Sequence, residues 1–344
     1  MDDMLTTEQG LTALRSVAQS TVGHHAALAS ARAMFGGELR FVDEAVRAAA
    51  REGVSPGSDA ASHLAASGGK RVRAMALLLS SACFGPVPAA AAELAVVAEM
   101  VHAATLLHDD VIDDGDERRG VPTARRVFGN AVSVLAGDLL LTHALDRTAR
   151  VAPDTLSDLL VTLRRLVDGE VIQLRGRTEI DLSPETYRSI VDGKTASLFG
   201  WATRAGARLG GANAALVTRL GTFGEHLGVA FQLVDDVIDY EGDARVTGKS
   251  VLSDLREGKV TLPLALAAAS DPGIAEDVPR VRTGDVDAAT RIARSVARSG
   301  ACAEVRRLAR IETDGALACL DAVPRSPARR LLEGVAVDLT SRMA

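Results

Sequence analysis

The sequence is poor in aromatic residues and in cysteine. Aromatic side chains make up 3% of the 344 residues, whereas alanine is very common, and this composition favours helices over strands. The three cysteines, Cys83, Cys302 and Cys319, are far apart, which argues against a disulfide framework and excludes a Cys-x-x-Cys site. We therefore expect an all-α protein of a reducing compartment, the cytoplasm.

The chain also lacks an excess of basic charge and an uninterrupted apolar span. It has 39 Lys and Arg against 45 Asp and Glu, a net charge of −6, which argues against a nucleic-acid-binding surface. The longest charge-free run, residues 74–92, is broken by Gly85, Pro86 and Pro88 and predicts two buried helices. The first ten residues are acidic and unlike a signal peptide. We expect no nucleic-acid partner and no transmembrane segment.

Apolar residues recur at helical spacing almost throughout, and no segment alternates as a strand would. Proline and glycine interrupt this pattern between segments of helical length, for example at 85–88, 120–122, 153, 184 and 272–279. No composition change marks an internal boundary. We expect one domain over residues 1–344, in which residues 1–35 form a peripheral helical segment.

Two segments share the spacing Asp-Asp-x-x-Asp, and each ends an apolar helix-like segment. The aspartates are Asp109, Asp110 and Asp113 in the first motif and Asp235, Asp236 and Asp239 in the second. Residues four apart share a helix face, and acids at the negative end of a helix dipole are destabilising unless they are neutralised. Mg²⁺ binds oxygen ligands, commonly one or two carboxylates with waters and a substrate phosphate. One such cluster is commonly a solvated helix end, but two matching clusters predict a site for Mg²⁺, with Mn²⁺ as a substitute.

The sequence does not match three other functional motifs: an EF-hand loop, a phosphate-binding loop and a serine nucleophile motif. With Gly115 at position 6 of an EF-hand loop, Ile112 and Val121 would occupy ligand positions. Five residues separate Gly242 from Gly248, where a phosphate loop has four. The sequence also has no Gly-x-Ser-x-Gly nucleophile motif.

Basic residues follow both acid motifs and occur in two further glycine-containing segments. They are Lys70 and Arg73 in GGKRVR, Arg118 and Arg119 after the first acid motif, Lys194 beside Thr195 in GKT, and Lys249 and Lys259 after the second acid motif. Each segment alone is typical of a turn. Arginine binds a diphosphate through paired N–H groups and lysine acts as a point charge, so the set together predicts two phosphorylated ligands.

Six segments in this order resemble the trans-prenyltransferases, also called polyprenyl synthetases or isoprenyl diphosphate synthases. They are GGKRVR, HDDVIDDGDERRG, GDLLL, KTASLF, FQLVDDVID and GKSVLSDLREGK, within residues 65–265. The resemblance implies a single-domain, isoprenoid-synthase-type helical bundle around a central cavity. It also implies a Mg²⁺-dependent head-to-tail condensation of isopentenyl diphosphate with an allylic prenyl diphosphate, for which no protein nucleophile is needed.

The resemblance assigns roles to individual residues. All six motif aspartates are expected to hold metal. Isopentenyl diphosphate is expected to bind Lys70, Arg73, His102 and Arg119. The allylic diphosphate is expected to bind Arg118, Lys194, Thr195, Gln232, Lys249 and Lys259. The residues expected to take part in catalysis directly are Asp109, Asp113, Asp235, Arg118, Lys194 and Lys249. By itself, a histidine at position 102 would more often be a core residue.

Two small residues, Ala104 and Thr105, precede Asp109 by five and four positions. In the family, bulky aromatic residues at these positions stop chain growth, so we expect a medium or long product, heptaprenyl to decaprenyl; geranylgeranyl diphosphate is the alternative. A homodimer is expected from the resemblance and from the number of Ala-rich helices. Ala74 departs from the proline common after GGKRxR, and we expect only a local change at that helix start.

Two other functions remain open. A terpene cyclase on the same fold needs no isopentenyl site, and the presence of Lys70, Arg73, His102 and Arg119 argues against it. A non-catalytic regulatory subunit would be expected to have lost acids from one motif, and both motifs are intact here.

Overall fold

The computed structural model describes residues 26–176, 179–241 and 253–341. The fold is all-α, as the sequence predicts. The helices in chain order are α1 (Ala26–Met34), α2 (Gly36–Arg51), α3 (Gly57–Ala66), α4 (Val72–Ala82), α5 (Ala89–Ile112), α6 (Ala124–Phe128), α7 (Asn130–Val151), α8 (Leu156–Arg175), α9 (Pro184–Val191), α10 (Ser197–Leu209), α11 (Ala214–Glu241), α12 (Ser253–Arg256), α13 (Leu262–Ala268), α14 (Gly273–Arg282), α15 (Val286–Ser299), α16 (Ala301–Cys319) and α17 (Pro327–Thr340).

The main core is built around α5, which packs against α7, α4 and α10. Among the described helices, α5 alone has the length and hydropathy of a membrane-crossing segment, but 67% of its apolar window is buried inside the protein. This burial makes α5 a core helix, and its C-terminal end carries the first acid motif. The predicted pair of buried helices over residues 74–92 corresponds to α4 and the start of α5.

Helix α11 is the second long element of the core, and it packs against α10 and α16. Glycine allows its close approach to the neighbouring chain, since a Cβ at Gly228 would lie 2.6 Å from Ala196 Cα. The C-terminal half of α11 also contributes to a smaller apolar cluster with α13, α14, α15 and α16. Both long helices therefore end where the two acid motifs occur.

Of the predicted peripheral segment, residues 1–35, the structure describes only residues 26–35. Helix α1 packs on α17, and the Leu28 backbone N–H donates to Asp338 Oδ2 at 2.9 Å. Residues 1–25 lie outside the described residues.

Two details differ from the prediction. Residues 117–118 and 121–122 form a two-stranded antiparallel hairpin, β1 (Glu117–Arg118) and β2 (Val121–Pro122), where the periodicity indicated only a break. Its turn residues Arg119 and Gly120 have φ of 55° and 76°, as a tight hairpin requires. The break predicted at 272–279 is confirmed at Pro272, between α13 and α14, but not at Pro279. Helix α14 begins at Gly273 and continues through Pro279, because its apolar face is buried in the smaller cluster.

Candidate active site

The first acid motif lies at the C-terminal end of α5, and each of its aspartates contacts a different predicted cation. Arg118 donates to Asp110 Oδ1 through Nε at 3.0 Å and Nη2 at 2.7 Å. Lys259 Nζ lies 2.8 Å from Asp113 Oδ2, and Lys194 Nζ lies 3.5 Å from Asp109 Oδ2. Lys194 and Lys259, both distant from α5 in the sequence, thus converge with the neighbouring Arg118 on one helix end.

Burial shapes the titration of this end of α5. It raises the pKa of Asp109 to about 6, an effect that Lys194 opposes and Glu170 reinforces. Burial also raises the pKa of Asp110, whose side chain is 3% exposed. For Lys259, burial alone would lower the pKa, but Asp113 and neighbouring acids raise it above its ordinary value. The lysine is therefore charged, and added positive charge would favour the ionised form of both aspartates.

In the second motif, Asp236 is held by protein donors. It is 1% exposed, its Oδ1 accepts from Gln232 Nε2 at 2.8 Å, and its Oδ2 accepts from the Leu262 backbone N–H at 3.4 Å. Thr195 Oγ1 in turn donates to Gln232 Oε1 at 3.1 Å. Burial, followed by the charge of Asp254, raises the pKa of Asp236 to about 7. Of the six aspartates, Asp236 is therefore the one whose placement least suits direct metal binding.

The other two acids of this motif lie in the last two turns of α11, with Asp235 half-buried and Asp239 buried. Their position at a helix end matches the sequence prediction. Lys249, predicted to bind the allylic diphosphate, lies outside the described residues.

Lys194 and Thr195 occupy a turn of π-helix, Asp192–Ala196, that joins α9 to α10. The sequence pattern GKT indicated an ordinary turn, and that prediction is wrong. Gly193 serves close packing there, since a Cβ on it would lie 2.6 Å from Arg165 O and 3.0 Å from Gly169 Cα. Single π-helical turns within helices are frequent at functional sites.

The charges of several arginines act on His102 of α5. Burial, reinforced by Arg73 and Arg118, lowers the pKa of His102 well below its ordinary value, and Arg119 acts in the same direction. The guanidinium of Arg73 lies over the Phe199 ring, 4.8 Å from its centroid, and its buried Nε has no hydrogen-bond partner in the described part of the chain. A neutral histidine among several guanidinium groups suits an anionic ligand.

The residues predicted to bind isopentenyl diphosphate differ in their exposure and contacts. Arg119 lies in the hairpin turn and donates through Nη1 to the carbonyl of Ser67 at 3.3 Å and to that of Gly68. This contact fastens the hairpin to the GGKRVR loop. The side chain of Lys70 is exposed, and its carbonyl accepts from Arg32 Nη2 at 2.9 Å. Arg119 is thus tied to the loop that precedes Arg73, and the charges of both arginines act on His102, whereas the Lys70 side chain is exposed.

Sequence reasoning missed a buried ion pair beneath this group. Arg71 Nε lies 2.6 Å from Asp43 Oδ1, and its Nη1 lies 3.2 Å from Glu99 Oε2. Glu99 is buried and also accepts from the Ala74 backbone N–H at 3.1 Å. Proline has no backbone N–H, so the hydrogen bond to Glu99 depends on having alanine, not the family's common proline, at position 74. In the sequence, a lone glutamate within an apolar helix, three residues before His102, could have indicated a buried ion pair.

The chemistry of these donors fits a divalent cation. The carboxylates are hard oxygen ligands, and the buried Asp110 Oδ2 has no hydrogen-bond partner among the residues that the structure describes. Within residues 26–176, 179–241 and 253–341, no three acidic, histidine or cysteine side chains form a ready-made metal cluster. A divalent cation can still bind through one or two carboxylates if water and phosphate complete its shell.

The two predicted chain-length residues differ in accessibility. Ala104 is completely buried, whereas Thr105 is partly exposed and donates through Oγ1 to the His102 carbonyl at 2.8 Å. Thr105 is therefore the one of the two with accessible surface.

Comparison with known proteins identifies the family of this chain. The family model described as polyprenyl synthetase matches residues 57–294. The octaprenyl diphosphate synthase of Escherichia coli is 36% identical over 280 residues, which cover 80% of this chain and 86% of that protein. The all-trans-nonaprenyl-diphosphate synthase (geranyl-diphosphate specific) of Rhodobacter capsulatus is 38% identical over 274 residues, covering 78% of this chain and 84% of that protein.

A solved structure gives the same result. The polyprenyl synthase of Caulobacter crescentus, complexed with calcium and isoprenyl diphosphate, superposes with a TM-score of 0.86 at 35% identity, covering 92% of this chain and 98% of that one. The family match, the relatives and the shared fold together show that this chain belongs to the polyprenyl synthetase family.

Proposed function

We propose that the protein condenses isopentenyl diphosphate head-to-tail with an allylic prenyl diphosphate, in a reaction that requires Mg²⁺, to give an all-trans polyprenyl diphosphate of heptaprenyl to decaprenyl length. The observation that carries this proposal is the convergence of Arg118, Lys194 and Lys259 on the aspartates of α5. The octaprenyl and nonaprenyl synthases among its relatives support the longer product range.

The basic residues have a direct role in this reaction. Arg118, Lys194 and Lys259 bind the allylic diphosphate and balance the charge that develops as its C–O bond breaks. Asp109, Asp110 and Asp113 of the first motif, with Asp235 and Asp239 of the second, would hold Mg²⁺, which when bound would supply Lewis-acid stabilisation of the same leaving group. The isopentenyl double bond then attacks the allylic cation, and a proton passes to the released diphosphate. Arg73, His102 and Arg119 hold the isopentenyl diphosphate during this step.

Asp236 has a different role in this proposal. Its contacts with Gln232 and the Leu262 backbone orient Gln232 toward Thr195, beside the allylic diphosphate. We infer that Asp236 positions this pair instead of binding metal directly.

The two diphosphate sites predict separate kinetic effects. Arg119→Ala and His102→Ala are expected to raise KM for isopentenyl diphosphate about tenfold or more, because each removes a donor from that anion. Lys194→Ala is expected to raise KM for the allylic substrate instead. Steady-state kinetics with each substrate varied in turn measure both constants, and equal effects on the two would contradict the assignment.

A homodimer is proposed through an apolar face on α7 and α8. Exposed apolar side chains recur there at helical spacing: Val134, Leu135, Leu160, Val161, Val167, Val171 and Leu174. Exposed apolar side chains repeated at helical spacing along α8, with further ones on α7, are typical of an interface.

Light scattering is expected to give twice the chain mass of 35.9 kDa at micromolar concentration. Val167→Asp combined with Val171→Asp would place unpaired charges in the interface and shift the protein toward monomer. Val286→Asp, at a valine that is 72% exposed outside this face, is the matched control. A monomeric wild type would refute the proposal.

The cytoplasmic location and the single domain over residues 1–344 are part of the same proposal. The terpene cyclase, the regulatory subunit and geranylgeranyl diphosphate synthesis are its competitors. Incubation with labelled isopentenyl diphosphate and an allylic primer separates them: a cyclase consumes the primer without the label, a regulatory subunit consumes neither, and a geranylgeranyl synthase stops at that length.

A further inference from the structure

Glu170 on α8 makes an ion pair with Lys194 that none of the recognised motifs includes. Its Oε2 contacts Lys194 Nζ, and the two side chains are 15% and 20% exposed. The same ammonium lies 3.5 Å from Asp109 Oδ2, so Lys194 is closer to Glu170 than to the motif aspartate.

The backbone fixes this contact through two glycines that precede the paired residues. A Cβ at Gly169 would lie 2.8 Å from the Lys194 backbone nitrogen, and one at Gly193 would lie 3.0 Å from Gly169 Cα. Neither position can carry a side chain without separating α8 from the π-helical turn. Because the glycines touch, Glu170 and Lys194 are brought side by side.

An unrestrained lysine at this place would have two disadvantages. Its long side chain would lose rotamer freedom each time it bound a phosphate. It would also be free to pair fully with Asp109, whose carboxylate oxygens the proposed function needs for binding Mg²⁺. The Glu170 carboxylate beside the ammonium counters both effects, because it restrains the side chain and competes with Asp109 for it.

We propose that Glu170 is a positioning residue, which holds Lys194 in place for the allylic diphosphate and away from Asp109. This inference rests on the proposed function. A similar arrangement occurs at Lys259, where Nζ lies 2.6 Å from Glu257 Oε2 and 2.8 Å from Asp113. Glu257 is 36% exposed, so solvent screens its pair more strongly, and its contribution is smaller.

The test compares Glu170→Gln in two backgrounds. In the otherwise unchanged enzyme, the substitution is expected to raise KM for the allylic substrate about tenfold, while KM for isopentenyl diphosphate changes less than about twofold. In a Lys194→Ala background the same substitution is expected to change KM for the allylic substrate less than about twofold, because the residue it positions is gone. Glu170→Asp, which keeps the charge, is expected to recover part of the loss.

Binding without turnover gives a second readout. Calorimetry with a non-hydrolysable allylic thiodiphosphate and Mg²⁺ is expected to show the same tenfold weakening for Glu170→Gln. Glu304→Gln, at an exposed glutamate paired with Arg307 on α16, is the control and is expected to match wild type. If the Gln variant does not fold, Glu170→Asp and its combination with Lys194→Ala carry the same comparison.

Three results would overturn the inference: an unchanged allylic KM in Glu170→Gln, equal increases in both Michaelis constants, or a full effect that persists in the Lys194→Ala background. A wild-type enzyme that does not condense the two substrates would instead refute the proposed function, so the two failures are distinguishable.

Discussion

Asp109→Ala is expected to lower turnover by about 10³-fold or more, equivalent to about 4 kcal/mol of transition-state stabilisation. The substitution removes a carboxylate from the proposed metal site and leaves Lys194 with Glu170 alone. Asp235→Ala is expected to have a similar effect from the opposite helix. Both results follow if charge stabilisation of the departing diphosphate is the main source of rate.

The matched control for this prediction is Asp114→Asn, because Asp114 has φ 53° and asparagine tolerates this left-handed conformation better than alanine does. Asp114 belongs to the same acidic run but is 80% exposed and pairs with Arg125 at 3.1 Å, outside the Asp-Asp-x-x-Asp spacing. Its removal is expected to change turnover less than about threefold. Turnover is measured under saturating substrates, and EDTA is expected to abolish it in the wild type. Full activity in EDTA, or equal losses in the Asp109 and Asp114 variants, would contradict the metal role.

Aromatic substitution on α5 is expected to shorten the product. Ala104→Phe and Thr105→Phe both add bulk a little over one helical turn before Asp109, roughly 6–8 Å along the helix. Thr105→Phe is the cleaner change, because Thr105 is partly exposed, whereas Ala104 is completely buried and phenylalanine there must displace its neighbours. The expected outcome is a shift from heptaprenyl-to-decaprenyl products to geranylgeranyl or shorter ones.

Chromatography of the dephosphorylated products measures this shift. Thr105→Val is the control, since it removes the hydroxyl bonded to the His102 carbonyl while keeping the volume. Its product distribution is expected to match wild type. An unchanged distribution in both aromatic variants would show that α5 does not limit chain growth here. A wild type that already stops at geranylgeranyl diphosphate would contradict the proposed product range.

The sequence predicts those parts of the site that depend on local spacing. The placement of both acid motifs at helix ends follows from the apolar periodicity of α5 and α11, which the structure confirms. The influence of the Arg73 and Arg119 charges on His102 depends on tertiary packing, and only the family resemblance indicated it. The sequence did not predict the hairpin at residues 117–122, because strands of two residues are too short to show an alternating pattern.

The supporting residues were not predictable from the sequence, for a physical reason. Glu99 and Glu170 each lie on a helix where a single glutamate is ordinary, and their importance arises from contacts with residues distant in the chain. Gly193 looked like a turn residue because local sequence does not reveal that α8 passes against it. Asp236 appeared equivalent to Asp110 by motif position, yet Gln232 and the Leu262 backbone occupy its oxygens.

The most direct measurement of the proposed reaction is mass spectrometry of the products formed from labelled isopentenyl diphosphate, an allylic primer and Mg²⁺. The account predicts polyprenyl diphosphates extended by successive labelled five-carbon units, up to heptaprenyl or longer, and none when Mg²⁺ is replaced by EDTA. A cyclised hydrocarbon without label, or an unextended primer at saturating Mg²⁺, would contradict it.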